Sequence, residues 1–248
     1  MTLEDLISTL TKEDLELINK QFEKKENKIP VYQYGKITFH ELSQLVDIKQ
    51  NFKQQNKFNN WFSLDHIFSK KDIIFFEKLI SKNYLLIENY HEEDLKINVI
   101  APIINKVDFF LFDEEIRNFY EQSIIYKTDK FIFNGITDFL VSSGLQYSKK
   151  PYFFIQEFKK SKKNDDPQPQ LLAELISAVE LNDWNTIKGA YIIGENWNFV
   201  ILERFEKHKY QYFVSRTFNC TNIEDLKGIY KNLLFVKNEI IEMVKNDD

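Results

Sequence analysis

The 248-residue chain is rich in aromatic side chains (15%, with 23 Phe) and contains 43% hydrophobic and 29% charged residues. That composition excludes a disordered tail or a mucin-like stalk and supplies a sizeable core. Six Gly and five Pro are too few for a Gly-rich phosphate loop, a turn-dense β-sandwich or a collagen-like segment. The 33 basic and 38 acidic residues leave a net charge of −5, which neither advertises nor forbids nucleic-acid binding, because local charge sets the field in a cleft.

The lone cysteine, Cys220, excludes a disulfide framework and a Cys-based zinc site. His40, His66, His91 and His208 stand too far apart for helical zinc-ligand spacing. Glu4 and Asp5 occupy positions where a secretory leader carries basic residues, and no apolar run reaches about 18 residues. A cytoplasmic protein that does not span a membrane is therefore expected.

In chain order, Thr2 with Asp5 and Thr11 with Asp14 read as helix starts, the hydroxyl accepting from a free backbone N–H while the carboxylate faces the positive helix end. Leu3, Leu6, Ile7, Leu10, Leu15 and Ile18 keep a helical period. Ile29-Pro30 interrupts it, 31–34 reads as a short extended piece, and a second helix is expected over about 40–50. Ser69 caps a third, with Ile73, Ile74, Phe76, Leu79 and Ile80 inward. Residues 92–107 suit a buried helix that Pro102 kinks or ends early.

Beyond Phe119 the pattern changes to period two. Strands are expected at 120–127, 131–141 and 152–158, the last nearly all aromatic and β-branched as in an internal strand. Pro167-Gln168-Pro169 opens a helix to about 182. Further strands follow at 189–194, 197–203 and 209–216, then a long amphipathic helix over 223–245. The chain thus divides into a helical amino-terminal region (1–88), a mixed α/β core (89–220) and a carboxy-terminal helix packing on it (221–248).

Chemistry concentrates between Phe131 and Glu174. Residues two apart on a strand share a face, so Glu157 and Lys159 project together, and Asp138 joins them if its strand is a neighbour. Two carboxylates brought together out of water repel and lose hydration. A divalent cation resolves the conflict, and oxygen-only ligands suit Mg²⁺ or Mn²⁺. Such an ion polarises a phosphoryl oxygen, and Lys159 can position a water or offset growing charge. The implied reaction is phosphodiester hydrolysis.

Asp138, followed after 18 residues by Glu157-Phe158-Lys159, resembles the D…ExK signature of the PD-(D/E)XK, or restriction-endonuclease-like, nuclease superfamily. The resemblance covers roughly residues 89–216. It implies a central mixed sheet flanked by helices, Asp138 and Glu157 as metal ligands, Lys159 assisting the attacking water, and Gln170 orienting a substrate phosphate. The segment from Glu92-Glu93-Asp94-Leu95 through Ile104 resembles the first core helix of the nuclease domain in type I restriction enzyme motor subunits. That likeness implies an acidic residue completing the site, with Glu93 taken as ligand or base and Glu92 left as the other choice. The stretch Pro151 to Lys159 is also similar to uncharacterised bacterial proteins, a likeness that carries no activity. Thr137 stands where the motif's name has Pro.

The expected function is therefore a Mg²⁺-dependent nuclease of bacterial defence or DNA processing, acting on nucleic acid with DNA as the expected substrate and possible homodimer formation. Other readings of the same residues stay open. Glu-x-Lys also occurs at Glu23-Lys24-Lys25, in a helical region. Gln170 and Glu93 can be plain helix-surface residues; Lys149, Lys150, Lys160, Lys162 and Lys163 a solvated loop rather than a phosphate track; Trp61, Trp184 and Trp197 packing residues rather than base stackers. A catalytically inactive nuclease-fold module that binds nucleic acid or protein is the alternative, and accidental spacing in a phosphatase-like or structural protein the third.

Overall fold

The computed structural model describes residues 9–26, 29–161 and 166–247; the expected helix start at Thr2 and Asp5 lies outside them. Helix α1 spans Lys12–Glu26. Its start is fixed as expected, Thr11 N–H donating to Asp14 Oδ2 and Asp14 N–H to Thr11 Oγ1. Strand β1 is Val31–Gln33, α2 is Phe39–Leu45 and β2 is Asp47–Gln50. The helix expected over 40–50 therefore ends at Leu45. Beyond it Ile48 is buried and its neighbours Asp47 and Lys49 are exposed. That alternation fits a half-buried strand, and pairing with the later strand Lys209–Val214 decides the outcome.

Helix α3, Lys70–Asn83, opens on a capping box between Ser69 and Asp72, and of the residues expected inward Ile74 instead faces out, half exposed beside the buried stripe of Phe76 and Leu79. Helix α4 runs through Glu92–Leu95, a π turn at Lys96–Ile100 and Ala101–Val107. Pro102 does not end it. The ring sits at the start of the final segment, where its missing N–H is least costly, and the preceding turn widens to accommodate it.

The strands are β3 (Ile116–Lys127), β4 (Ile132–Ser143), β5 (Lys149–Lys159), β6 (Thr186–Ile193), β7 (Asn196–Glu206), β8 (Lys209–Val214) and β9 (Phe218–Asn219). Helix α5 is Pro167–Asn182 and α6 is Ile223–Asp247. All strands belong to one mixed sheet of order β1-β4-β5-β6-β7-β8-β2, with β3 also on β4 and β9 on β7. Pairing is parallel for β1·β4, β5·β6 and β2·β8 and antiparallel elsewhere. The chain is thus mixed α/β: a curled mixed sheet flanked by helices, with a helix at the carboxyl end.

Two cores lie on the two faces of the sheet. On one, α3, α4 and α6 pack on Phe154, Phe158, Trp197 and Phe199, with Trp61 tied in by its indole N–H to the Asn232 carbonyl at 2.8 Å. On the other lies α5, buried at nearly every position from Pro167 to Val179. The sheet curls around α5 far enough for Tyr126 of β3 to meet His208 in the β7–β8 turn, at 3.1 Å. Residues 34–46 join β1 to β2 and so connect the two ends of the strand order.

Candidate active site

The site forms where β4 and β5 part. One edge of β4 pairs with β5 only from Phe139 to Ser143 and with β1 only from Ile132 to Asn134, leaving Gly135 to Asp138 without a ladder partner on that side. Tyr34 fills the opening. It is 1% exposed, donates its hydroxyl proton to Ser177 Oγ at 2.7 Å, and lies so close that a Cβ on Gly135 would fall 2.7 Å from its ring. The polar ends of Asp138 and Glu157 replace the missing ladder. Asp138 N–H donates to Glu157 Oε1 at 3.1 Å, and Phe158 N–H donates to Asp138 Oδ2 at 2.8 Å.

Glu157 is 0% exposed and so is Glu174, which α5 carries in from below the sheet. Burial first, then the charges of Glu174 and Asp138, push the Glu157 carboxyl well above the usual carboxylate range, against the N–H of Asp138. Burial likewise raises Glu174, to about 8, opposed by hydrogen bonds from Glu157 and Gln170 and by the charge of Lys159. Among the described residues neither Glu157 Oε2 nor Glu174 Oε2 has a hydrogen-bond partner. The two groups therefore share a proton, as neighbouring buried carboxylates must when neither can ionise freely. Gln170 Nε2 donates to Glu174 Oε1 at 3.1 Å and holds it in place.

Lys96, on the π turn of α4, closes the cluster from outside. Its ammonium lies 3.4 Å from Asp138 Oδ1, 3.3 Å from Glu93 Oε1 and 3.6 Å from Glu92 Oε1. Burial works against that charge, but the three carboxylates hold the Lys96 pKa above its ordinary value.

The structure thus brings Asp138 and Glu157 together, with Gln170 one residue removed through Glu174. Lys159 is half-buried at the end of β5, near enough for its charge to act on Glu174, and makes no ion pair within 4.0 Å among the described residues. Glu93 does not enter the cluster: its side chain is 72% exposed on the rim and pairs with Lys96. Glu92 bonds to the same lysine, so the pair acts as one charged rim. Lys162 and Lys163 lie outside the described residues. Trp61 and Trp197 are packing residues, 1% and 0% exposed.

Two residues escaped sequence reasoning. Glu174 had a readable signal: α5 is apolar on all sides, so any carboxylate inside Leu171-Leu172-Ala173-Glu174-Leu175-Ile176 is buried. Lys96 had none, because in sequence it is one more lysine on a helix. Among the described residues no group of three or more His, Cys, Asp or Glu side chains is set around a common point for a metal ion, and no helix is long and apolar enough to cross a membrane. No protein-family model and no curated protein matches the chain.

Proposed function

We propose that the chain is a Mg²⁺- or Mn²⁺-dependent nuclease of restriction-endonuclease-like type that hydrolyses phosphodiester bonds of nucleic acid. The observation that carries this reading is the junction of Asp138 and Glu157 at an unpaired strand edge, with Glu174 beside them and Lys159 on the same strand. Buried carboxylates with oxygens that lack a hydrogen-bond partner among the described residues are a donor set that a divalent cation suits. Asp138 and Glu157 are the residues to hold it. When bound, such an ion stabilises negative charge on a phosphoryl oxygen and makes water a better nucleophile at neutral pH.

The remaining roles belong to the protein. The backbone N–H groups of Asp138 and Phe158 aim the two carboxylates by donating to them, each carboxylate being held by an N–H of the opposing strand. Lys159, without a carboxylate partner among the described residues, supplies a cation to hold the attacking water and offset charge in the transition state. Gln170 acts through Glu174, whose orientation it sets, rather than on the phosphate directly. Glu93 and Glu92 act through Lys96, which neutralises Asp138 until substrate and cation arrive.

The test is incubation of the purified chain with duplex DNA, single-stranded DNA and RNA in Mg²⁺, Mn²⁺ or EDTA. Cutting is expected with either cation, none in EDTA, and none by Asp138→Ala or Lys159→Ala. Unchanged cutting by those variants refutes the mechanism. One observation favours the second reading, a non-catalytic module: Glu157 and Glu174 have no exposure to solvent and Asp138 is capped by Lys96. That module retains nucleic acid in a salt-sensitive way and yields no product under any divalent ion.

A further inference from the structure

On the α4 side of Asp138 lies a depression of about 340 Å³ lined by Lys96, Ile97, Tyr120, Glu121, Asp138 and Phe158 together with neighbouring residues of α4. Three features set it apart from ordinary surface. Ile97 is 68% and Tyr120 42% exposed, so two large apolar groups stand in water on its walls. Phe158, itself 0% exposed, lies beneath the Lys96 ammonium, 6.0 Å from its ring centre, and gives the depression a packed floor. Glu121, directly opposite Asp138 in the strand order, has φ of 53° and interrupts the β3–β4 ladder between the Tyr120–Phe139 and Gln122–Thr137 pairs. Backbone held in a left-handed conformation in mid-strand is a feature of sites that re-aim side chains.

We propose that this depression receives one unpaired nucleobase next to the phosphate to be cut, and that the substrate is therefore single-stranded nucleic acid. The inference rests on the nuclease reading and adds the substrate class to it. Its support is chemical and geometric. A half-exposed tyrosine beside an exposed isoleucine offers a face for base stacking, which every base can use. The space holds one base and its sugar, not a base pair within a helix. A base in a duplex would have to leave its stack to enter. The carboxylates at the rim, Glu121 among them, only accept hydrogen bonds, which suits a base that presents an exocyclic amino group. Asp138 lines both this depression and the acidic cluster, so a base seated here places its own phosphate beside the carboxylates.

The test reads binding, set beside the cutting assay described above. A short labelled single strand, its duplex, and the same strand carrying abasic positions are titrated by fluorescence anisotropy in EDTA, where no cation is present to support cutting. The wild-type chain is expected to bind the strand about tenfold or more tightly than the duplex or the abasic strand. Tyr120→Ala is expected to lose that preference and Tyr120→Trp to keep it. Equal affinity for strand and duplex, no measurable binding of the strand, or full retention of strand binding by Tyr120→Ala overturns the proposal. Loss of the preference with metal-dependent cutting intact removes the base pocket and leaves the nuclease standing. A preserved preference with no cutting under Mg²⁺ or Mn²⁺ removes the nuclease and leaves a single-strand binder.

Discussion

Replacing Glu174 by Gln should stabilise the protein at neutral and alkaline pH. In the folded chain burial out of water lifts the carboxyl of Glu174 to about 8, against the hydrogen bonds from Glu157 and Gln170, whereas the ordinary value is 4.5. Between those values the folded chain keeps a proton that the unfolded chain releases, so stability is highest below pH 4.5 with respect to this group and falls as pH rises through 8. At pH 7 the difference amounts to about 3 kcal/mol. Glutamine removes that loss and keeps the local bonding: its Oε1 still accepts from Gln170, and its amide can donate to Glu157. For a chain of this size the gain corresponds to a rise of roughly 6 to 12 °C in Tm at pH 7. Thermal denaturation of both proteins at pH 5, 7 and 8 measures it, and the advantage should grow with pH. A variant less stable than wild type at pH 8, or a wild-type profile without a decline over this range, would refute the account of a shared buried proton. Adding Mg²⁺ should raise the wild-type Tm and shrink the advantage, if the acids hold a cation as proposed.

Three further outcomes follow from other parts of the structure. Gly135→Ala places a Cβ 2.7 Å from the ring of buried Tyr34, and the forced repacking should cost about 1 to 3 kcal/mol in urea denaturation. Lys96→Ala leaves Asp138 facing Glu157 without a counter-charge; it should lower Tm in EDTA, and Mg²⁺ should restore a larger share of stability than it adds to wild type. Cys220 is 4% exposed and burial lifts its thiol to about 12, so a thiol reagent at pH 8 should label it only after unfolding, at a rate set by denaturant rather than by reagent concentration.

Much of the core was legible because its signals are local. The aromatic run Tyr152-Phe153-Phe154-Ile155 announces an internal strand, and alternation fixes which side Glu157 takes. The repeat Leu226, Ile229, Leu233, Val236, Ile240 marks α6 without ambiguity. The rest depended on partners far along the chain. Asp47 to Gln50 is a strand because Lys209 to Tyr212 offers an edge, and nothing within ten residues says so. Whether Asp138 reaches Glu157 depends on where β4 and β5 separate, which Tyr34 helps to decide from a hundred residues upstream. The rim position of Glu93 and the central one of Lys96 differ by a single turn widened before Pro102, a detail no helical period predicts.

The strap formed by residues 31–50 has a consequence for how the molecule assembles. Val31 pairs with Ile132 and Gln50 with Tyr212, so this early segment has nowhere to dock until most of the polypeptide exists, and closing loops of that length comes late in a folding reaction. Tyr34, which seals the gap above Ser177 and adds to the isolation of Glu174, arrives with it. A nascent chain that ends before α5 consequently has neither a seat for the Tyr34 hydroxyl nor the Glu174 carboxyl to enclose, and the unusual proton affinity of the interior is acquired only as strap and helix meet.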